Sequence, residues 1–189
     1  MRVRPLPKNF YLPTAAEIAP ELLGAIVKTR IRGLTTTGRI VEVEAYIQGD
    51  EACHANRGKT RRNASMFGPP GHAYVYRIHQ SFCLNLVTGK KGIGEAVLIR
   101  AIEPLKGVRI MQRRRKGAKG RLLTGGPGRV CQALGLNLSH DGLPLSGPVL
   151  TVLTGSAPGE IETSGRIGIS KNVTAFLRFF DPTSAYLSR

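Results

Sequence analysis

Along this chain the hydrophobic positions mostly alternate with polar ones in short runs, the period of half-buried β-strands rather than of long helices. From Ala25 to Arg32, Val27, Thr29 and Ile31 alternate with Lys28, Arg30 and Arg32. Gly33 to Gly38 reads as a turn or hairpin loop, and Gly38 to Tyr46 as the next strand. Period two places Arg39, Val41, Val43 and Ala45 on one face of that strand and Ile40, Glu42, Glu44 and Tyr46 on the other. After a polar connection, Ile47 to Pro70, two further alternating runs follow: His72 to Ile78, with Tyr74 and Tyr76 facing together, and Phe82 to Thr88. The short link His79-Gln80-Ser81 makes these a hairpin. Glu95 to Ala101, carrying Arg100, and the segments Pro148 to Thr154, Gly165 to Ser170 and Ala175 to Phe180 bring the expectation to six or seven strands.

Helical signals are few. Thr14-Ala-Ala-Glu17 has capping-box spacing, and Pro20 predicts one turn, a break, and a second turn ended by Gly24. Leu105 to Lys116 reads as a helix with arginines on its outer side, and Arg129 to Leu134 as a short one closed by Gly135. Gly117 to Gly128, rich in Gly, Lys and Arg, reads as mobile. The expected fold is mixed α+β: a single domain over residues 1–189 on a curved, open-barrel-like antiparallel sheet, with short peripheral helices and a protruding β-hairpin.

Length and composition agree with one soluble unit. The 189 residues enclose one core, and no apolar run approaches the ~20 residues that cross a bilayer. The start, Met1-Arg-Val-Arg-Pro, lacks the apolar stretch of a secretory signal. Cys53, Cys83 and Cys131 are single and unpaired in spacing, as in a reduced, cytoplasmic protein, nucleoid-associated if the source is prokaryotic.

Charge changes the picture more. Lys and Arg number 28 against 12 Asp and Glu, a formal net charge of +16. No acid lies between Glu103 and Asp141, where Lys106, Arg109, Arg113, Arg114, Arg115, Lys116, Lys119, Arg121 and Arg129 fall, and Arg57, Lys59, Arg61 and Arg62 form a second cluster. Two such runs in one small domain point to nucleic acid. A membrane surface would want them opposite a bulky apolar face, and Arg113 to Gly120 is polar all round.

The chemistry reads less directly. No P-loop or dinucleotide-binding glycine pattern is present, and His54, His72, His79 and His140 are not paired at ligand spacing, so neither a cofactor nor a metal is expected. Glu42 and Glu44, with Cα atoms ~7 Å apart on one face, include a candidate general base if covered. Periodicity leaves glycoside chemistry and a structural ion pair open, although both carboxylates would lie on one side of a substrate. Tyr46, Tyr74, Tyr76, His54 and Asn85 each have a structural reading, as core aromatics, a loop histidine and a backbone-bonded amide; jointly they describe a pocket for a planar base.

One resemblance binds these features. Gly38 to Tyr46 (Gly-Arg-Ile-Val-Glu-Val-Glu-Ala-Tyr), Asp50 to His54, Arg62-Asn63 with Met66-Phe67, Gly71 to Tyr76, Cys83-Leu-Asn85, Val97 to Pro104, Gly126 to Leu134 and Arg166-Ile-Gly168 occur in one order from about Leu22 to near the C-terminus. In this the chain resembles the alkyladenine (methylpurine) DNA glycosylases. The resemblance implies a monofunctional glycosylase of base-excision repair that flips alkylated purines (3-methyladenine, 7-methylguanine), and less easily deaminated ones, from duplex DNA and leaves an abasic site. It implies Glu44 as general base, Arg100 and the main chain of Ile167 holding the water, Tyr46, His54 and Tyr76 enclosing the base, and Asn85 disfavouring guanine's exocyclic amine. The family's wedge is a tyrosine followed by glycine; this chain has Arg77-Ile-His79-Gln-Ser, one residue shorter, with His79 as the replacement. Arg57, Arg61, Arg62, Arg113, Arg114 and Arg115 are the expected backbone contacts and a monomer is the expected state. A non-catalytic basic nucleic-acid-binding module and a nucleoside hydrolase are the rival readings.

Overall fold

Eight strands pair antiparallel into one curled sheet in the computed structural model, which describes residues 3–188; Met1 and Arg2 of the segment weighed above as a signal lie outside them. Strands β1 (Ile26–Ile31), β2 (Leu34–Tyr46), β3 (Ala73–Ile78), β4 (Ser81–Val87), β5 (Ala96–Lys106) and β6 (Leu150–Leu153) lie in the order β3-β4-β5-β2-β1-β6. β7 (Glu162–Ser164) pairs with β8 (Arg178–Phe180), and β8 lies along Glu42–Glu44 of β2. Four short helices, α1 (Ala15–Glu21), α2 (Val108–Arg114), α3 (Arg121–Thr124) and α4 (Pro127–Leu134), complete a mixed α+β domain of the expected class.

Several boundaries differ from the alternation, each for a local reason. The β1–β2 turn needs only Arg32 and Gly33, both at positive φ (51° and 75°), so Leu34 to Gly38 belongs to β2 rather than to a loop. Its threonines suit a strand, and Thr36 Oγ1 meets Thr29 Oγ1 across the pair at 2.8 Å. α1 runs unbroken through Pro20: its capping box holds the start, and the backbone of Leu22 still donates to Ile18. β5 continues to Lys106 with Pro104 paired to Gly38 at a register shift, and α2 begins only after Gly107. The segment expected to be mobile contains α3, tied down where Thr124 Oγ1 donates to the carbonyl of Ile102 at 2.6 Å. α4 starts two residues early because Pro127 suits the first helical position, and it ends at Gly135 (φ 79°). Gly165 to Ser170 is not a strand: pairing ends at Ser164, and the backbone beyond it turns toward β2.

Two irregularities in the β2–β5 pair shape the site. Val41 is an extra residue between Ile40, opposite Ile102, and Glu42, opposite Ala101. Arg100 is then extra on β5, between Ala101 and Ile99, which faces Val43. An inserted residue switches the following side chains to the other face. Ile40 therefore joins Val43 and Ala45 in the main core, with Leu84, Leu86, Val97 and Ile99, instead of sharing a face with Glu42 and Glu44. The opposite face carries a smaller cluster, Cys53, Ala55, Met66, Phe67, Tyr74, Val87 and Ala96, with Tyr46 and Tyr76 packed against it.

Candidate active site

The two carboxylates of β2 are fully buried, and their partners differ. Glu42 accepts from Ser188 N at 2.5 Å, Ser188 Oγ at 2.6 Å, Arg178 Nε at 2.7 Å and Arg100 Nε at 3.1 Å. Burial raises its pKa, but the hydrogen bonds from Ser188 and Arg178 outweigh burial and hold it below the ordinary carboxylate value. Glu44 accepts from Tyr46 Oη at 2.8 Å and Ile167 N at 2.7 Å, and Arg100 Nη1 lies 3.2 Å from its Oε1. A carboxylate offers about four lone-pair sites. Glu42 meets four protein donors, three of them on Oε1 and Ser188 N alone on Oε2; Glu44 meets three, Ile167 N and Arg100 on Oε1 and Tyr46 alone on Oε2. Arg100 Nη1 also donates to the carbonyl of Ile167 at 3.3 Å, which ties both carboxylates and the Ile167 backbone into one cluster.

Tyr46, whose hydroxyl donates to Glu44, lines a cavity of about 140 Å³ with His54, Tyr74, Tyr76, Asn85, Gly168 and Ile169, among others. The rings of Tyr74 and Tyr76 are 5.4 Å apart and tilted by 33°, and His54 stands edge-on to Tyr76 at 4.5 Å. Burial pushes the phenols of Tyr46, Tyr74 and Tyr76 up, so they remain donors. His54 has an open edge, yet packing against the tyrosines and then the charge of Arg62 lower its pKa from 6.5. Its Nδ1 is 2.9 Å from Tyr74 Oη. Asn63 fixes the loop by donating to the carbonyl of His54 at 2.8 Å. Asn85 Nδ2 donates to the carbonyl of Tyr74 at 3.0 Å, which sets the amide's orientation against the cavity.

The β3–β4 hairpin stands at the cavity mouth. Its turn is His79-Gln80, flanked by the pair Ile78–Ser81, with His79 exposed at φ 50°. Arg77 Nε donates to the carbonyl of His79 at 2.8 Å, and Arg62 Nη2 to that of Arg77 at 3.0 Å. Ile78, 43% exposed, lines the cavity.

A second hollow, about 560 Å³, opens on the other side of Arg100 and is lined by Arg100, Arg115, Arg121, Arg129, Ser81 and Ser188. Arg57, Arg61, Arg62 and Arg113 are exposed. Arg114 departs from the expected cluster: it donates to the carbonyl of Ala133 at 2.9 Å and to Thr36 Oγ1 at 3.4 Å, bracing α4 against the sheet. Arg115 points the other way, bonding Gln132 and the carbonyl of Leu122.

The residues that period and resemblance single out for the pocket are thus brought together. Missed were Arg178 and Ser188, which bond Glu42 from far along the chain with nothing local to mark them, and a role for Arg166, which covers Tyr46 and stands in the matched run Arg166-Ile-Gly168 beside Ile167. Among the described residues no group of three or more His, Cys, Asp or Glu side chains could hold a metal ion, and no helix is long and apolar enough to cross a membrane.

Known proteins are similar to this chain over nearly its whole length. A family model described as "Methylpurine-DNA glycosylase (MPG)" matches residues 9–185. Among similar proteins, one from Methanoculleus marisnigri named "Putative 3-methyladenine DNA glycosylase" is 45% identical over 190 residues, covering 97% of this chain and 98% of that one. Proteins of the same name from Carboxydothermus hydrogenoformans and Chlorobaculum tepidum are 42% and 46% identical, covering 97% and 96% of this chain and 98% and 89% of theirs.

Proposed function

The chain belongs to the methylpurine-DNA glycosylase family, and from that premise we propose that it excises alkylated purines from duplex DNA by hydrolysis, with Glu44 activating the water. The observation that carries this reading is the cluster of Glu44, Arg100 and the Ile167 backbone, joined through the Tyr46 hydroxyl to a tyrosine-lined cavity. A water bonded to Glu44 and to the Ile167 carbonyl gives up a proton to the carboxylate as it attacks C1′ of the flipped nucleotide. The aromatic side chains of the cavity stack on or flank the base.

A purine alkylated at N3 or N7 is a cation whose glycosidic bond is already weakened, so no strong acid is required. That selects 3-methyladenine and 7-methylguanine as the substrates. A deaminated purine such as hypoxanthine needs a proton on the departing base and is slower. With its pKa lowered, His54 offers Nε2–H to the lesion in the tautomer whose Nδ1 accepts from Tyr74. Asn85 sets an N–H against guanine's exocyclic amine, donor against donor. No lysine lines the cavity among the described residues, so water rather than an amine is the nucleophile and the product is an abasic site.

His79, on a brace of Arg77 and Arg62, enters the space the lesion leaves, and Ile78 fills the cavity mouth beside it. Arg57, Arg61, Arg62, Arg113 and Arg115 contact phosphates, joined by Arg121 and Arg129 of the second hollow, and the chain acts as a monomer.

The test is a duplex with one 3-methyladenine analogue or one hypoxanthine. The parent protein leaves an alkali-labile abasic site, and Glu44→Gln lowers single-turnover base release by about 10²-fold or more. Release by Glu44→Gln at the parental rate would falsify the assignment. Salt-sensitive binding with no base release would favour a binding module instead, and release from free nucleosides as fast as from duplex a nucleoside hydrolase.

A further inference from the structure

Tyr46 has a cation behind it. The guanidinium carbon of Arg166 lies 4.9 Å from the ring centre, and the Arg166 side chain has no solvent exposure. Arg166 Nη1 donates to the carbonyl of Ala45 at 3.1 Å and is 2.6 Å from Asp50 Oδ2, while Nε and Nη2 lack hydrogen-bond partners among the described residues. Asp50 in turn accepts from the backbone of Ala52 at 2.9 Å and from Asn172 Nδ2 at 3.0 Å. Tyr46 lines the cavity and Arg166 does not, so the guanidinium covers one face of the ring from outside the cavity. This inference rests on the proposed function, in which the flipped base stacks on the face of Tyr46 that Arg166 leaves open.

The face of an aromatic ring attracts cations because its quadrupole is negative there. A guanidinium already seated on one face draws that density toward itself and repels a second cation through the ring. A base in contact with the open face lies only about 3.5 Å beyond it, in a water-poor site where charges are weakly screened. Asp50 acts in the opposite sense: its negative charge, next to the guanidinium, offsets the repulsion. Alkylated purines are cations and deaminated purines are neutral, so the balance of this pair falls unequally on the two lesion classes. We infer that the buried Asp50–Arg166 pair behind Tyr46 is a specificity-determining device that sets the ratio of cationic to neutral purines the pocket releases.

A merely structural role for the pair would lower release of both classes together. The electrostatic role requires the two partners to move the ratio in opposite directions. The experiment times single-turnover release of 7-methylguanine and of hypoxanthine from the same duplex sequence, with the Kd for the duplex standing in for any lesion released too slowly to time. Asp50→Asn keeps an oxygen for the Ala52 amide, unmasks Arg166, and is expected to lower the cation-to-neutral ratio about threefold. Arg166→Met removes the repelling charge and is expected to raise the ratio by a similar factor. The double variant Asp50→Asn/Arg166→Met, which leaves no buried unpaired charge, is expected to return close to the parental ratio. Should Arg166→Met alone fail to fold, as a thermal melt will show, Asp50→Asn and the double variant still decide the matter. A ratio unmoved in Asp50→Asn, or moved upward, overturns the inference while leaving the glycosylase reading intact. A parent that releases neither base overturns both.

Discussion

Glu42 and Glu44 are two residues apart, equally buried and on one face, and only their donors separate them. Period two could find the pair but not rank it, because the groups that bond Glu42 come from Arg178 and Ser188, 136 and 146 positions away. The resemblance supplied the ranking; the structure adds that Glu44 bonds the cavity-lining Tyr46, whereas Glu42 bonds Ser188, Arg178 and Arg100. His54 carries a prediction at the same scale. Packing against the tyrosines, then the Arg62 charge, depress its pKa below 6.5. The folded protein therefore takes up this proton at lower pH than the unfolded chain. Between the depressed folded value and about 6.5 the unfolded state binds more protons, so this group makes stability rise with pH across that window and adds nothing further below it. An NMR titration of the His54 ring is expected to show a midpoint below 6.5, and Arg62→Gln is expected to move it upward. A midpoint that stays put or falls in Arg62→Gln would assign the depression to packing alone.

At the scale of elements, the alternation located β1, β3 and β4 to within a residue or two and misplaced what an extra residue decides. The insertion of Val41 sends Ile40 to the core, and that of Arg100 brings a guanidinium to both carboxylates; a bulge leaves no mark in a strict period. Segment 165–170 has strand-like composition but works as irregular backbone, because Ile167 must turn its N–H to Glu44 and its carbonyl to Arg100. The β3–β4 hairpin was legible as an element. Its two-residue turn forces His79 to φ 50°, where a non-glycine residue is strained by about 1–2 kcal/mol. Glycine would relieve that strain, less its own entropic cost of ~0.5–1 kcal/mol. His79→Gly is therefore expected to stabilise the fold by up to about 1 kcal/mol in denaturant melts while weakening binding to lesion duplex more than to undamaged duplex. Equal loss on both duplexes would reduce His79 to a phosphate contact, and a destabilised variant would mean its side chain contributes more than the strain costs.

At the scale of the molecule, the sheet divides the work: the main core with its flanking helices lies on one face, and the smaller cluster with the aromatic cavity on the other. Arg100 joins this cavity to the cationic hollow, lining the second while bonding the carboxylates behind the first. The formal charge of +16 was legible from composition as a polyanion signal, but its allocation was not, because a run of three arginines gives no hint of which one the fold consumes. Arg114 is consumed: its guanidinium spans Thr36, Ala133 and the close approach of Gly135. Arg113 and Arg115 face outward or into the hollow. Removing one phosphate-neutralising side chain should flatten the dependence of log affinity on log salt by about 0.9. Arg113→Gln/Arg115→Gln is thus expected to weaken duplex binding whatever the sequence and to reduce the slope by roughly 1–2. Arg114→Gln is expected to leave the slope unchanged and instead lower stability by about 1–3 kcal/mol, through the Ala133 carbonyl it abandons. Salt titrations of binding and denaturant melts on the same two proteins separate these effects. A slope that falls with Arg114→Gln and holds with Arg113→Gln/Arg115→Gln would put the DNA on the opposite side of α2.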